Sequence, residues 1–299
     1  MKSKDIEIIE VGPRDGFQSI PQFISTSDKV RIIGNLVNAG ISRIETTSVV
    51  SERAVPQLAD AEAIIMATKA FAGCSSQVLV PNARRGQQAL DMGATKLCFV
   101  ISASETHNFK NVRQSISGSL AEYDALSSIH PDSSTMRVNL ATAFDCPYEG
   151  SISEKCVSGI VEHLVSTPHQ IELAICDTTG RCSPLLVSSL FTFLSSEFGD
   201  ICSWVFHGHD TYGMGIANCF AAWETGIRKF DASIAGLGGC PFAPGATGNV
   251  ATEDLAWMFE KMFLNTGIDL DQVLQVAKEV SRIPGSQTGG RVRDALSGQ

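Results

Sequence analysis

Two histidines, His207 and His209, stand two positions apart directly after a short apolar segment, Cys202-Ser-Trp-Val-Phe206. That segment predicts a buried strand, and side chains two apart on a strand point to the same face. The two imidazoles therefore leave the strand end side by side, where they could bind one cation. Imidazole pairs suit a divalent metal whose remaining positions are filled by oxygen ligands. The pair alone leaves open an ordinary structural role for both histidines.

A glycine-rich segment further along the chain carries a single thiol. It reads Gly236-Leu-Gly-Gly-Cys-Pro-Phe-Ala-Pro-Gly-Ala-Thr-Gly-Asn249 and contains Cys240. Because the neighbours of Cys240 are glycine and proline rather than core residues, we expect this thiol on a flexible loop near the metal. A simple turn residue is the alternative. Other cysteines lie in apolar runs and are expected to fill the core: Cys98, Cys176, Cys202 and Cys219.

Composition places the chain among soluble globular proteins and excludes several other classes. Its 299 residues are 43% hydrophobic and 18% charged, with a net charge of −9 and a pI near 5.2. This acidic balance argues against a nucleic-acid surface, which needs clustered Lys and Arg. No apolar run reaches the ~18 residues of a membrane-spanning helix, and neither end resembles a targeting signal. Nine cysteines without framework spacing indicate reduced thiols in a cytoplasmic protein.

Short apolar runs alternate with amphipathic segments along the chain. The predicted strands are Ile6–Val11, Arg43–Ser48, Gln77–Val80, Lys96–Ile101, Arg137–Ala143, Gln170–Cys176, Ser203–His207 and Ala232–Ala235. The predicted helices are Ser27–Ala39, Leu58–Lys69, Arg84–Met92, Ser115–Ile129, Ser153–Ser166, Ser183–Glu197, Gly213–Thr225 and Thr252–Leu264. Ser27 and Ser153 are the expected N-caps, and Gly40 and Gly93 the expected helix ends.

This alternation predicts an α/β fold, a (β/α)8 TIM barrel. A doubly wound open sheet is the runner-up, weakened because no Gly-x-Gly-x-x-Gly follows the first strand. We expect one domain over residues 1–299, with the barrel at about 5–265, an additional C-terminal helix at about 269–282 and a loose final stretch.

A TIM barrel places its chemistry at the carboxyl ends of its strands. Polar side chains follow the predicted strands there. The first strand leads to Arg14, Asp15 and Gln18, and the second ends at Glu45 to Ser48. Later strand ends supply Asn82, Glu105, Asp145, Glu149, Asp177, His207, His209 and, through the cysteine loop, Asn249. We therefore expect one polar site at this end of the barrel.

Five of these segments resemble the 3-hydroxy-3-methylglutaryl-CoA lyase family of metal-dependent TIM-barrel enzymes. They are Val11-Gly-Pro-Arg-Asp-Gly16, Glu45-Thr-Thr-Ser48, Cys146-Pro-Tyr-Glu-Gly150, His207-x-His-Asp-Thr-Tyr-Gly213 and Gly236-Leu-Gly-Gly-Cys-Pro241. The likeness runs from residue 7 to about residue 280. The cysteine loop followed by Asn249 is typical of the lyase branch, whereas related synthases usually carry Asn-Asp after the second histidine, where this chain has Asp210-Thr211.

The resemblance implies a set of roles. Asp15, His207, His209 and Asn249 match the family's ligands for Mg²⁺ or Mn²⁺. Arg14 would stabilise the enolate oxygen, and Cys240 would protonate the enolate carbon. Glu45 and Asp177 match positions that support Arg14 and the reacting hydroxyl, although Glu45 could be a mere ion-pair partner and Asp177 a turn cap. Gln18 and Ser48 would line the acyl pocket. The products would be acetyl-CoA and acetoacetate, and relatives form homodimers.

Three further points stay open at the level of sequence. Asn82, Lys110 and Asn111 could contact CoA or could be ordinary surface residues, and the remaining histidines, His107, His130, His163 and His169, are expected to be solvated. Departures from the family pattern at Phe17, Asp145 and Ala174 could alter the acyl group, since Ala174 would face the pocket where the family has serine. The alternatives to a lyase are a condensing enzyme, a metal aldolase for a free hydroxy acid, and a non-catalytic barrel that binds CoA esters.

Overall fold

The computed structural model describes residues 4–130, 135–167, 169–239 and 248–297. Eight parallel strands close into a barrel in which each strand pairs with its sequence neighbour and the last pairs with the first. The barrel strands are β1 Glu7–Glu10, β2 Arg43–Ser48, β3 Ser75–Val80, β4 Leu97–Ser102, β5 Met136–Ala141, β8 Ile171–Asp177, β9 Ser203–Gly208 and β10 Lys229–Ala232. A small antiparallel hairpin, β6 Asp145–Cys146 and β7 Gly150–Ser151, follows β5. The closed barrel confirms the predicted fold and excludes the open sheet.

Helices surround the barrel and extend beyond it at the C-terminus. They are α1 Thr26–Asn38, α2 Ala61–Thr68, α3 Ala83–Asp91, α4 Glu105–Val112, α5 Ile116–Ile129, α6 Glu154–Val165, α7 Pro184–Phe198, α8 Gly215–Glu224, α9 Thr252–Lys261, α10 Leu270–Val280 and α11 Arg291–Ser297. Within the described ranges, no helix is both long and apolar enough to cross a bilayer.

The apolar pattern of the strands follows from their position between two layers. Every residue of β5 and β8 is buried, as expected for parallel strands covered by helices on one face and by the barrel interior on the other. The helices bury one stripe each; α1, for example, buries Ile32, Ile33 and Leu36 against the barrel. The main core therefore lies between the helices and the outer face of the barrel.

The bounds of one predicted strand and the position of one predicted N-cap are wrong. The last barrel strand is Lys229–Ala232 rather than Ala232–Ala235. Its sequence is Lys-Phe-Asp-Ala, so two of its four residues are charged and the hydrophobic pattern did not predict a strand. Both charged side chains point into the barrel interior, where they are ion-paired. The N-cap of α1 is Ser25, which accepts the amide of Asp28, rather than Ser27.

The final stretch is also ordered, where we expected it to be loose. The helix α11 begins at Arg291, and its first amides donate to the Asp254 carboxylate on α9. A side chain far back in the sequence thus caps this helix, which local patterning does not reveal. The N-cap at Ser153 and the left-handed conformations of Gly40 and Gly93 are confirmed.

Candidate active site

A single π-helical turn, Gly12–Gly16, positions Arg14 and Asp15 directly after β1. The Glu10 carboxylate accepts hydrogen bonds from the amides of Gly12 and Ile234, at 2.7 and 2.8 Å, and from the hydroxyl of Thr252 at 2.7 Å. A Cβ at position 12 would lie 2.6 Å from the Glu10 carboxylate, so a larger residue there would displace this side chain from its hydrogen bonds. Burial raises the pKa of Glu10 to about 7. This one side chain ties the turn to the segment that follows β10.

Asp15, His207 and His209 form a group able to bind a metal ion. One potential ligand atom from each lies within 4.8 Å of the others. Asn249 joins them because it pairs with His209 in an antiparallel bridge and its amide donates to Asp15 at 2.7 Å. Among the described residues, Asn249 Oδ1 and His209 Nδ1 are buried without a hydrogen-bond partner. Buried polar atoms without partners are costly, and an oxygen and a nitrogen left open here fit a divalent cation.

The orientation of His207 is fixed from behind by Asp231 on β10. His207 Nδ1 lies 2.9 Å from Asp231 Oδ2, which leaves the other ring nitrogen for a cation. Arg137 on β5 donates to the same carboxylate oxygen and is paired in turn with Glu172. Burial favours protonation of Asp231, but Arg137 outweighs it and holds the Asp231 pKa well below its usual range. An ionised carboxylate therefore stays behind His207.

Arg14 lies between two carboxylates, one of which belongs to the candidate metal ligand Asp15. It donates through Nε to Glu45 on β2 and through Nη1 to Asp15. Burial alone would lower the pKa of Arg14, but Asp15 and Glu45 raise it above its usual value. Burial likewise disfavours charge on Asp15, yet Arg14 and the two histidines lower the Asp15 pKa to about 2. Both groups are therefore charged at neutral pH.

A cleft of about 430 Å³ opens over this group. The predicted residues that line it are Arg14, Asp15, Gln18, Lys110, Asn111, His207 and His209. Glu45 and Asn249 lie beneath the lining, in contact with Arg14 and Asp15. Gly239, the last described residue before the cysteine loop, also lines the cleft. Cys240 itself lies outside the described residues.

Asp177 ends β8 between Cys176 and Thr178, which line the cleft, but is itself buried and not part of the lining. Oδ2 accepts the amide of Cys182, and the buried Oδ1 has no hydrogen-bond partner within the described part of the chain. Burial raises the pKa of Asp177 to about 7, a change that the backbone hydrogen bonds only partly offset. The neighbouring Thr178 reaches the cleft.

Three further predicted residues are not part of the cleft lining. Asn82 is the N-cap of α3 and accepts the amide of Arg85, which gives it a structural role. Ser48 is buried at the end of β2. Ala174 does not face the pocket but is buried inside the barrel, packed with Ile9 and Val205.

Sequence reasoning missed several residues that line the cleft. His107 was expected to be solvated but is 6% exposed, and its Nδ1 lies 2.7 Å from the Ser102 hydroxyl. It lies on α4, a helix that the hydrophobic pattern did not predict; Ser104 as N-cap with Glu105 in the first turn was the available signal. His130 was also expected to be solvated but is buried. The lining also contains Cys176, which was assigned to core filling, and residues that were given no site role: Leu79, Val100, Asn139, Ala141, Tyr148 and Thr178.

These observations define a TIM barrel with a candidate metal site and a buried, ion-paired arginine at the carboxyl end of its strands. Residues 5–280 match the HMGL-like family, and the chain belongs to it. It is 36% identical over 293 residues to the mitochondrial hydroxymethylglutaryl-CoA lyase of Homo sapiens, covering 98% of this chain and 90% of that protein. It is 38% identical over 292 residues to a hydroxymethylglutaryl-CoA lyase of Bacillus subtilis, covering 96% of both.

Solved structures agree with the sequence comparison. The HMG-CoA lyase of Bacillus subtilis superposes with a TM-score of 0.92 at 36% identity, covering 99% of both chains. An HMG-CoA lyase from Acinetobacter baumannii, solved with coenzyme A and 3-methylmalate, gives 0.90 at 36% identity, covering 99% of this chain and 97% of that one. A carboxyl transferase domain of Rhizobium etli pyruvate carboxylase, 16% identical with a TM-score of 0.73, shares the fold alone.

Proposed function

We propose that this protein is a divalent-metal-dependent lyase that cleaves 3-hydroxy-3-methylglutaryl-CoA to acetyl-CoA and acetoacetate. The observation that carries the proposal is the grouping of Asp15, His207, His209 and Asn249 beside Arg14 at one cleft. The family and its curated relatives support this reaction, and the relative solved with coenzyme A supports an acyl-CoA substrate.

Asp15, His207, His209 and Asn249 would hold the ion, and two imidazoles with two oxygen ligands suit Mg²⁺ or Mn²⁺. When bound, the ion lowers the pKa of the substrate's tertiary hydroxyl and orients it. Asp231 contributes by keeping His207 in one orientation, with Nδ1 occupied. Because Asp15, His207 and His209 line the cleft, substrate oxygens in the cleft would lie beside these three side chains.

Asp177 accepts the hydroxyl proton in this scheme. Its Oδ1, which has no hydrogen-bond partner among the described residues, and its pKa of about 7 suit a base at neutral pH. As the proton leaves, the hydroxyl carbon becomes a carbonyl, the adjacent carbon–carbon bond breaks, and its electron pair forms the enolate of acetyl-CoA. The remaining fragment is acetoacetate.

Arg14 stabilises the enolate oxygen as charge develops on it. The guanidinium keeps its charge at every working pH, and Glu45 and Asp15 hold it in place. A donor fixed before the reaction needs no reorganisation when the enolate forms. Cys240 then donates its thiol proton to the enolate carbon, and the proton held by Asp177 or a solvent proton restores the thiol.

Lys110 and Asn111 are proposed to contact the coenzyme A portion. Both are exposed residues on the wall of the cleft, and the Lys110 ammonium lies 3.9 Å from the centre of the Tyr148 ring. The aromatic ring holds the ammonium in one position, where it could bind a phosphate of coenzyme A or a polar group of its pantetheine chain. Asn82, which caps α3, takes no part in this proposal.

The departures from the family pattern favour the ordinary substrate. Phe17 is buried in a core cluster, Asp145 accepts from Thr179, and Ala174 is enclosed in the barrel. The structure does not place these three in the lining of the cleft. Cys176 does line it, where the family commonly has glycine, and we expect it to affect the fit of the acyl group rather than the reaction.

Product analysis tests the proposal and separates it from its alternatives. Purified protein with Mg²⁺ or Mn²⁺ is given 3-hydroxy-3-methylglutaryl-CoA, and acetyl-CoA and acetoacetate are quantified by mass spectrometry. Equal amounts of both products support the lyase. In parallel incubations, a condensing enzyme would join an acyl-CoA to a keto acid yet leave the thioester uncleaved, an aldolase would cleave only the free hydroxy acid, and a binding protein would return the thioester intact. Any of these three results rejects the proposal.

We further propose a homodimer and a cytoplasmic location. Exposed apolar side chains on α7 and α8, among them Leu185, Leu186 and Phe220, support a subunit contact. All eight cysteines in the described part are free, which supports a reducing compartment.

A further inference from the structure

A second cavity lies at the opposite end of the barrel from the cleft. It encloses about 680 Å³ at the amino-terminal ends of the strands, and Glu7, Arg43, Arg137, Glu172 and Lys229 contribute to its wall. We call this cavity the basal pocket. The amino-terminal end of a TIM barrel ordinarily serves stability alone, yet the basal pocket is larger than the catalytic cleft.

The basal pocket carries a surplus of positive charge. Five cationic side chains line it: Arg43, Lys96, Arg137, Arg228 and Lys229. Three carboxylates line it as well, Glu7, Glu172 and Asp200, and Asp231 pairs with Arg137 from behind the lining. One carboxylate, Glu172, is shared among Arg43, Arg137 and Lys229. Lys96 and Arg228 make no ion pair within the described ranges. A local positive surplus in a chain whose net charge is −9 favours an anion at this place.

Two arginine donors in the wall are buried without an acceptor. Arg43 Nε and Arg137 Nη1 make no hydrogen bond to any described residue. The side chain of Arg43 is 13% exposed and that of Arg137 is 1% exposed, with Nη1 3.6 Å from the Glu172 carboxylate. A buried charged donor without an acceptor is costly. The planar guanidinium fits the paired oxygens of a carboxylate or phosphate.

We propose that the basal pocket binds a small, multiply charged oxyanion, a phosphate ester or a dicarboxylate. Arg43 and Arg137 would supply the inner donors and Lys96 and Arg228 the outer charge. Arg137 also donates to Asp231, which holds His207. An oxyanion on Arg137 would therefore contact the same chain of side chains that orients the metal ligands, although it lies outside the catalytic cleft.

The pocket contains its own reporter, Trp204, one of three tryptophans in the chain. Full-length protein labelled with 5-fluorotryptophan is titrated with sodium sulfate at constant ionic strength, and the three ¹⁹F signals are followed; Trp204→Phe assigns the signal. We expect a saturable shift of the Trp204 signal in the millimolar range. A linear change that sodium chloride reproduces, or no change, overturns the proposal.

Matched lysine variants locate the bound anion. Lys96→Gln should weaken sulfate binding about tenfold, as expected for one lost charge-assisted contact, and Lys96→Arg should retain it. Lys110→Gln changes a lysine at the opposite cleft and should leave the Trp204 titration unchanged. If Lys110→Gln weakens binding and Lys96→Gln does not, the anion occupies the catalytic cleft and the proposal fails. Competition by methyl phosphate or by glutarate distinguishes the two ligand sources, and competition by neither contradicts the assignment.

Discussion

Arg14 and Asp15 are adjacent in the sequence but would serve different partners because of the turn that carries them. Arg14 forms ion pairs with both Glu45 and Asp15, which fix the position of its guanidinium. Asp15 remains ionised with a pKa of about 2 and turns towards His207 and His209. At the scale of single residues, Arg14 and Asp15 are therefore both charged at neutral pH, whereas the pKa of Asp177 lies near 7.

The raised pKa of Asp177 predicts a pH dependence of turnover. A base must be ionised, and Asp177 loses its proton as the pH rises through about 7. We therefore expect kcat to fall as the pH is lowered below about 7, and Asp177→Asn to lower kcat about 10²- to 10⁴-fold, the range of a general base. Steady-state kinetics between acidic and alkaline pH provide the measurement. Wild-type turnover in Asp177→Asn would remove this carboxylate from the mechanism.

The thiol of Cys240 gives a second prediction at this scale. Cys240→Ser should lower turnover about 10²-fold or more, because a serine hydroxyl is a much weaker acid than a thiol, while Mn²⁺ binding stays at the wild-type level. Cys156→Ser is the matched control, since Cys156 is exposed on α6. Equal turnover in Cys240→Ser and Cys156→Ser would show that the proton comes from another group.

At the scale of elements, neighbouring strands bring together the candidate metal ligands, which are far apart in the sequence. β9 supplies His207, and β10 supplies Asp231 at the position paired with it in the parallel register. The turn after β1 reaches the same group because β1 pairs with β10. Closure of the barrel thus brings Asp15, His207 and Asp231 together.

Asp231 should act as a positioning residue for the metal. Asp231→Asn removes the ionised partner of His207 and should weaken Mn²⁺ affinity about 10- to 100-fold, the usual effect of losing a carboxylate behind a ligating histidine. Titration followed by electron paramagnetic resonance measures the affinity, with circular dichroism to verify the fold. Asp271→Asn, at an exposed carboxylate on α10, is the control. Unchanged affinity in Asp231→Asn would mean that His207 needs no such support.

Replacing Glu10 should affect stability rather than metal affinity, because Glu10 connects the turn after β1 to the segment after β10. Glu10→Ala leaves the amides of Gly12 and Ile234 without an acceptor, which should destabilise the protein by about 3 kcal/mol. Urea unfolding of the metal-free protein measures the loss, and Glu52→Ala, at an exposed glutamate, should lie within about 0.5 kcal/mol of the wild type. A loss below about 1 kcal/mol in Glu10→Ala would contradict the role of Glu10.

For the whole molecule, sequence patterns predicted the features that depend on residues close together in the sequence. The strand and helix alternation predicts the barrel, and His-x-His after an apolar strand predicts two ligands on one face. The pairing of Asp231 with Arg137, and of Asp254 with α11, joins residues far apart in sequence, so no local pattern reveals either. Charges inside the barrel also disguised β10, because patterning treats lysine and aspartate as signs of a surface.

The most direct measurement for the whole account is metal-dependent release of acetoacetate. Protein stripped of metal by a chelator is given 3-hydroxy-3-methylglutaryl-CoA, and acetoacetate formation is followed while Mg²⁺ or Mn²⁺ is added back. We expect no product before addition and a saturable rise to at least about one turnover per second, within the ordinary range of enzymes. Protein that binds the metal yet releases no acetoacetate, or that releases it equally well with chelator present, would contradict the account.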